Sequence, residues 1–202
     1  MTWLVATEDE LSEAVAIRLL AEAGVQSEMT RLMRKNGNGY LKKRLDQCNK
    51  SAASGFKVFM LTDLDNGACA ADLVQKWFGR RSRERNFLLR VAVREVEAWL
   101  MADREAFAKF IGVSVAKVSR EVEVLADPKR ELLTIAKSGK RRIRKALRSE
   151  AKSIAVQAPE YNDTLIKFVR SDWSTERASA QAQSLARARK RIAELANNSS
   201  PN

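Results

Sequence analysis

KVFMLTDLDNG, residues 57–67, is the stretch on which the reading of this chain turns. Val58 to Thr62 suit a strand buried on both faces, and the run ends in two aspartates one residue apart, Asp63 and Asp65. Carboxylates at a strand end can cap the helix that follows, or they can hold a cation. The flanking sequence has to separate the two.

On either side the chain alternates between two periods. Trp3 to Thr7 reads as a short buried strand. Glu10 to Ala23 carries Leu11, Val15 and Leu19, with Ala16, Leu20 and Ala23, at helical spacing, and Gly24 closes that helix. Val25 to Met33 predicts a weaker second strand, Arg34 to Gly39 a loop, and Tyr40 to Ala53 a helix. Phe56 to Thr62 is the strongest strand, Ala68 to Phe78 a helix, and Asn86 to Val93 a fourth strand. Strands alternating with helices predict an α/β fold over residues 1–93, an open and mainly parallel sheet flanked by helices.

After Arg94 the strand signal stops, and residues 94–196 read as a basic helical extension packed on that core. One or two helices are expected up to Val113, another over Val113 to Leu125, and a break at Asp127-Pro128. A basic stretch follows from Lys137 to Ser153, then a loop at Ala158-Pro159 and a last helix from Thr175 to Ala196. Residues 197–202, NNSSPN, are expected to be a disordered tail.

Composition narrows the chemistry. The 202 residues are 45% hydrophobic and 31% charged, enough for a real core. No segment approaches the apolar length of a bilayer span, and MTWLVATEDE lacks the features of a secretory signal. Cys48 and Cys69 are the only cysteines, so the expectation is a cytoplasmic protein with reduced thiols. There is no histidine, which excludes imidazole bases, Ser-His-Asp triads and histidine-ligated zinc. A catalytic metal would have to be held by carboxylates, which favours Mg²⁺, Mn²⁺ or Ca²⁺. Lysine plus arginine number 37 against 25 acids, a net charge of +12, and this points to nucleic acid as partner. A homo-oligomer is among the assemblies the sequence allows.

In a parallel α/β sheet the carboxyl ends of the strands meet along one edge, where ligands bind. Glu8 follows the first strand, Asp63 and Asp65 the third, and Glu95 and Glu97 the fourth. Each has a structural alternative. Thr7 and Glu10 fit a capping box, and Asp63 or Asp65 would suit the helix starting near Ala68. Glu95 and Glu97 are two apart, so in a helix one is expected at the site and the other in solvent. Convergence of the whole set, with histidine excluded, favours a divalent ion.

A glutamate after the first strand and an Asp-x-Asp after a later buried strand resemble the Toprim fold of topoisomerases, bacterial primases and OLD-family nucleases. Glu8, Asp63 and Asp65 match that pattern. REVEAWLMAD, residues 94–103, looks like an uncharacterised Toprim-like branch, as do RKNGNGYLKK and the later PEYN. Asp9 departs from the pattern, standing where Toprim nucleases often have glycine, with Glu13 as the further acid. The resemblance implies Mg²⁺ or Mn²⁺ on Asp63 and Asp65, with Glu97 or Glu95 as another ligand. Glu8 would be a ligand or the general acid/base for phosphodiester cleavage. Tyr40 and Tyr161 look peripheral to the acids, so hydrolysis is favoured over strand passage. Small Toprim-like proteins also occur beside a separate ABC-type ATPase in phage defence. With no GxxxxGK[ST] loop here, any ATP dependence would come from such a partner.

The cations are grouped. Lys140, Arg141, Arg142, Arg144, Lys145 and Arg148 form the densest run, and Arg80, Arg81, Arg83 and Arg85 a second; both suit phosphate contact. Asn36 to Gly39 could offer amides to a phosphate, though an ordinary turn explains them as well. Ala108 to Val122 has the spacing of a helix-turn-helix, which supports a second reading, a DNA-binding regulator without catalysis. A third is a Toprim-like subunit that has lost its activity.

Overall fold

The structure, a computed structural model, describes residues 2–34, 39–148 and 159–198. Four strands form one sheet: β1 (Trp3–Thr7), β2 (Thr30–Arg34), β3 (Lys57–Asp63) and β4 (Phe87–Ala92), in the order β2-β1-β3-β4. Every neighbouring pair is parallel, with Trp3 opposite both Thr30 and Lys57, and Val58 opposite Phe87. The fold is the open parallel α/β sheet that the alternation predicts. The order runs outward from β1 both ways, so the connections reverse direction between β1 and β3. Past the carboxyl ends of two such strands lies the crevice where open α/β sheets bind ligands.

Side chains alternate across each strand, and this splits the core in two. Leu4, Ala6, Val58, Met60, Phe87 and Leu89 pack against α2 (Tyr40–Ala53) and α3 (Ala70–Phe78). Trp3, Val5, Phe59, Leu61, Leu88 and Ala92 pack against α1 (Glu10–Glu22) and the helices after residue 94. These are α4 (Val96–Ala102), α5 (Arg104–Ile111), α6 (Pro128–Ala136), α7 (Arg141–Arg148), α8 (Pro159–Ser171), α9 (Thr175–Ser179) and α10 (Gln183–Asn197). One apolar cluster runs from Trp3 and Phe59 through Trp99, Phe107, Phe168 and Trp173 to Ile192. The basic region thus completes the sheet face that α1 alone would leave open. Among the described residues no helix is long and apolar enough to cross a membrane.

Four expectations are corrected. The second strand begins at Thr30, after a 3-10 turn at Ser27–Met29, because Val25 is spent closing α1: its amide bonds to the Leu20 carbonyl at 3.0 Å. The helix after α2 begins at Ala70, two residues late. Residues 113–125 form 3-10 turns at Val115–Lys117 and Val122–Val124 instead of a helix. There the Val113 amide closes α5 on Ala108, and the Arg104 guanidinium takes the Val115 and Val118 carbonyls, both at 3.0 Å. The segment with helix-turn-helix spacing therefore has no second helix in the recognition position. The last helix breaks between α9 and α10, because the Glu123 carboxylate accepts the Gln183 and Ser184 amides (3.0 and 2.8 Å) and caps a new start. The Asn36-Gly37-Asn38 loop, the Arg148 side chain, residues 149–158 and the tail from Ser199 lie outside the described residues.

Candidate metal centre at the carboxyl edge of the sheet

Glu8 and Asp63 flank the switch point. The Thr62 hydroxyl, at the end of β3, donates to Glu8 Oε1 at 2.6 Å and ties the first acid to the central strand. Asp63 Oδ1 accepts the Val96 amide at 3.0 Å, so it caps α4 from a neighbouring strand. Among the described residues neither Asp63 nor Asp65 caps α3, whose N-cap Cys69 makes no side-chain cap bond. The capping box of Thr7 and Glu10 is likewise corrected: Asp9 is the N-cap of α1 and accepts the Ser12 amide at 2.7 Å. The acid standing in the glycine position of the Toprim pattern thus starts a helix.

Asp65 is held by its backbone. Its amide donates to the Arg94 carbonyl (2.9 Å), and the Arg94 guanidinium returns to the carbonyls of Asp65 (3.3 Å) and Gly67 (2.9 Å). Asp65 has φ +50°, a left-handed conformation that aspartate accepts more readily than most residues. A Cβ on Gly67 would meet the Leu64 carbonyl oxygen at 2.8 Å, so the loop closes only with glycine there.

Glu95 and Glu97 do not divide into one inward and one solvated residue. Glu97 is 6% exposed and accepts the Tyr161 hydroxyl at 2.9 Å; Glu95 is half-buried and accepts the Lys129 amide at 2.9 Å. The expectation that Tyr161 is peripheral is overturned too. It is fully buried against the acids, and the Lys129 ammonium lies 4.7 Å from the centre of its ring.

All five carboxyls are displaced upward. Burial is the largest cause for Glu8; the Thr62 hydrogen bond opposes it, and Asp65 and Asp9 add to the rise. Asp63 is held well above the aspartate range by burial and then by the charges of Glu97, Asp9, Asp65 and Glu8. Asp65 is raised by partial desolvation, although its surface is largely exposed. Glu95 is raised by burial against the Lys129 amide, with Asp127 and Asp65 adding. Glu97 is pushed up to about 7 by burial and by Glu95, with the Tyr161 hydroxyl and the Lys129 cation opposing. One field therefore links acids that are far apart in sequence. In this conformation no group of three or more acids among the described residues is arranged to hold one ion. The donor chemistry still fits a hard divalent cation: oxygen ligands only, desolvated and mutually repelling, at the ends of adjacent strands.

The model of a family described as DUF4276, a domain of unknown function, matches residues 6–169. The chain belongs to the DUF4276 family. The matched span starts within β1 and ends in α8, so it takes in Glu8, Asp63, Asp65, Glu95, Glu97 and Tyr161. No curated protein and no solved structure matches the chain significantly.

The cations of this DUF4276 chain fall in different places. Arg80 and Arg81 precede β4 and so lie at the amino end of the sheet, away from the acids; Arg81 pairs with Asp46 at 2.9 Å. Lys140, Arg141, Arg142, Arg144 and Lys145 lie at or in α7, which packs along α8, the helix whose first turn holds Tyr161. Thr62, Arg94, Lys129 and Tyr161 were not legible as site residues. Signals lay only in the resemblance, through REVEAWLMAD for Arg94 and PEYN for Tyr161.

Proposed function

We propose that the chain is a metal-dependent nuclease that hydrolyses nucleic-acid phosphodiesters at the carboxyl edge of its sheet. The observation that supports this reading is the placement of Glu8, Asp63, Asp65, Glu95 and Glu97 just past the ends of β1, β3 and β4, with Glu8 tied to Thr62 of β3 and Asp63 to the Val96 amide between Glu95 and Glu97. The Toprim-like order of Glu8 and Asp63-x-Asp65 supports it. Asp63 and Asp65 would hold Mg²⁺ or Mn²⁺, with Glu8 and either Glu97 or Glu95 completing the set. When bound, the ion supplies activation of a water and stabilisation of charge on the scissile phosphate.

The chain's own residues do the rest. Thr62 orients Glu8, either as a ligand or to move a proton at its carboxylate. Arg94 fixes the Asp65 loop, and Tyr161 and Lys129 stabilise the ionised form of Glu97. The cationic face of α7 would hold substrate backbone. If ATP is required, it acts through a partner ATPase, a proposal from resemblance alone.

The test is cleavage of plasmid and of single-stranded DNA with Mg²⁺, with Mn²⁺ or with EDTA, by wild type, Asp63→Ala and Glu8→Ala. The reading expects metal-dependent cutting that both substitutions abolish. Cutting that persists in either variant, or in EDTA, contradicts it. No cutting, with equal DNA binding by all three proteins, would favour an inactive or partner-dependent subunit.

A further inference from the structure

β4 is an edge strand. The Val58 and Leu64 amides take the carbonyls of Asn86 and Ala92 (2.8 and 2.9 Å), so alternate residues of β4 face β3. Val91 and Val93, out of phase with these, turn their amides to the open edge. Ser184 of α10 accepts the Val93 amide (3.4 Å), whereas the Val91 amide meets no acceptor among the described residues.

Along this edge α3 and α10 stand apart and leave a groove of about 370 Å³, lined by Arg83, Arg90 and Arg187 with Gln75 and Ser184. None of these guanidiniums pairs with a carboxylate among the described residues. Arg90 Nε is buried without a partner among the described residues, while its Nη1 turns back to the Leu89 carbonyl (3.1 Å). Arg187 reaches Gln183 Oε1 (2.9 Å), and Arg83 stands 6.0 Å from the Phe78 ring centre. Burial, with the neighbouring Arg83 and Arg191 charges, brings Arg90 down to about 10 against the opposing charge of Glu194, still a cation at neutral pH. Three cations on one cavity without an ion pair among the described residues, one of them desolvated, suit an anion with several acceptor oxygens.

Position selects which anion. The groove reaches Val93, two residues before Glu95, and Ala70, where α3 leaves the Asp65 loop, so it adjoins the acidic edge. Acids repel a phosphate backbone, and cations ranged along the strand that leads to that edge, from Arg83 before β4 to Arg90 within it, offset the repulsion for the rest of the backbone. A groove of about 370 Å³ accommodates one strand's backbone. We propose that this groove holds backbone phosphate of a single nucleic-acid strand whose scissile phosphate is presented further along, at the acidic edge. The inference rests on the nucleic-acid reading of that edge. The α10 wall, with Ser184 and Arg187, lies beyond the span matched by the family model.

The test is fluorescence anisotropy of a labelled short thymidine strand with the full chain in EDTA. Arg83→Gln and Arg187→Gln, both at exposed positions, are compared with wild type and with Lys50→Gln on α2 as a charge-matched control. Each groove variant is expected to bind about tenfold more weakly, because a charge-assisted hydrogen bond to phosphate is removed. The slope of log affinity against log salt should flatten by ~0.7 for each phosphate that is no longer neutralised. Lys50→Gln should stay within about twofold of wild type. Groove variants that bind like wild type, or a control that weakens as much as they do, overturn the proposal. So does a groove variant that keeps strand binding but loses thymidine monophosphate, which would assign a free phosphate ligand. Loss of an oligo-glutamate peptide alone would assign an acidic protein segment and overturn it as well. Because binding is scored without metal, failure to cleave and failure of the groove are separate results.

Discussion

Glu97→Gln tests the acidic edge through stability alone. In the folded chain burial and Glu95 lift Glu97 from 4.5 to about 7, whereas the unfolded chain leaves it near the lower value. Between those two pH values the folded state holds a proton that the unfolded state has lost. Stability from this group is therefore full below about pH 4.5, falls as pH rises, and levels off above about pH 7. At about 1.4 kcal/mol per pH unit across that window, the loss is roughly 3 kcal/mol. Glutamine keeps an oxygen for the Tyr161 hydroxyl and has no charge to bury. Urea unfolding followed by circular dichroism in EDTA, from about pH 5 to about pH 8, measures both proteins. The variant's advantage over wild type should grow with pH by roughly 3 kcal/mol and then plateau. Adding Mg²⁺ should stabilise wild type at the alkaline end and shrink that advantage. A difference that does not change with pH, or wild-type stability that rises relative to the variant across the window, would refute the reasoning.

Other perturbations probe the neighbouring contacts. Tyr161→Phe removes the hydroxyl from Glu97, so the carboxyl should rise further and urea unfolding should show a loss of about 1–3 kcal/mol, largest above neutral pH. Thr62→Val removes the donor that holds Glu8 down, and the Glu8 carboxyl followed by NMR in EDTA should titrate higher than in wild type. Ser184→Ala takes an acceptor from Trp99 Nε1 (2.7 Å) and the hydroxyl donor from the Glu123 carboxylate, while the backbone amide keeps its bond there; about 1–3 kcal/mol of stability should be lost, read by tryptophan fluorescence in urea. Gly67→Ala should cost about 1–3 kcal/mol through its clash with Leu64 and should weaken metal binding by displacing the Asp65 loop.

The sheet was legible because parallel strands covered on both faces read as short apolar runs, and Val58 to Thr62 is such a run. The strand-end acids followed from it, since a parallel sheet sends Glu8, Asp63 and Glu95 to one edge whatever the register. Side-chain destinations were not legible. Asp63 caps α4, a helix that starts 33 residues further along, and no local pattern announces that bond. Glu97 is buried against Tyr161, 64 residues away, so the helical spacing of Glu95 and Glu97 suggested exposure where tertiary packing supplies a hydroxyl donor. Residues 113–125 have helical content, but the Arg104 guanidinium competes for their carbonyls. The break before α10 depends on Glu123, about 60 residues upstream. The α10 arginine that completes the β4 groove was invisible for the same reason: only the fold brings Arg187 to Arg83 and Arg90.

Everything proposed for the edge depends on a divalent ion bound by Asp63 and Asp65. A Mn²⁺ titration followed by electron paramagnetic resonance of the free ion tests this most directly, on wild type and on Asp63→Asn/Asp65→Asn. The account predicts saturable binding by wild type at neutral pH, competed by Mg²⁺ and abolished in the double variant. Equal binding by both proteins, or no saturable binding by wild type, would contradict it.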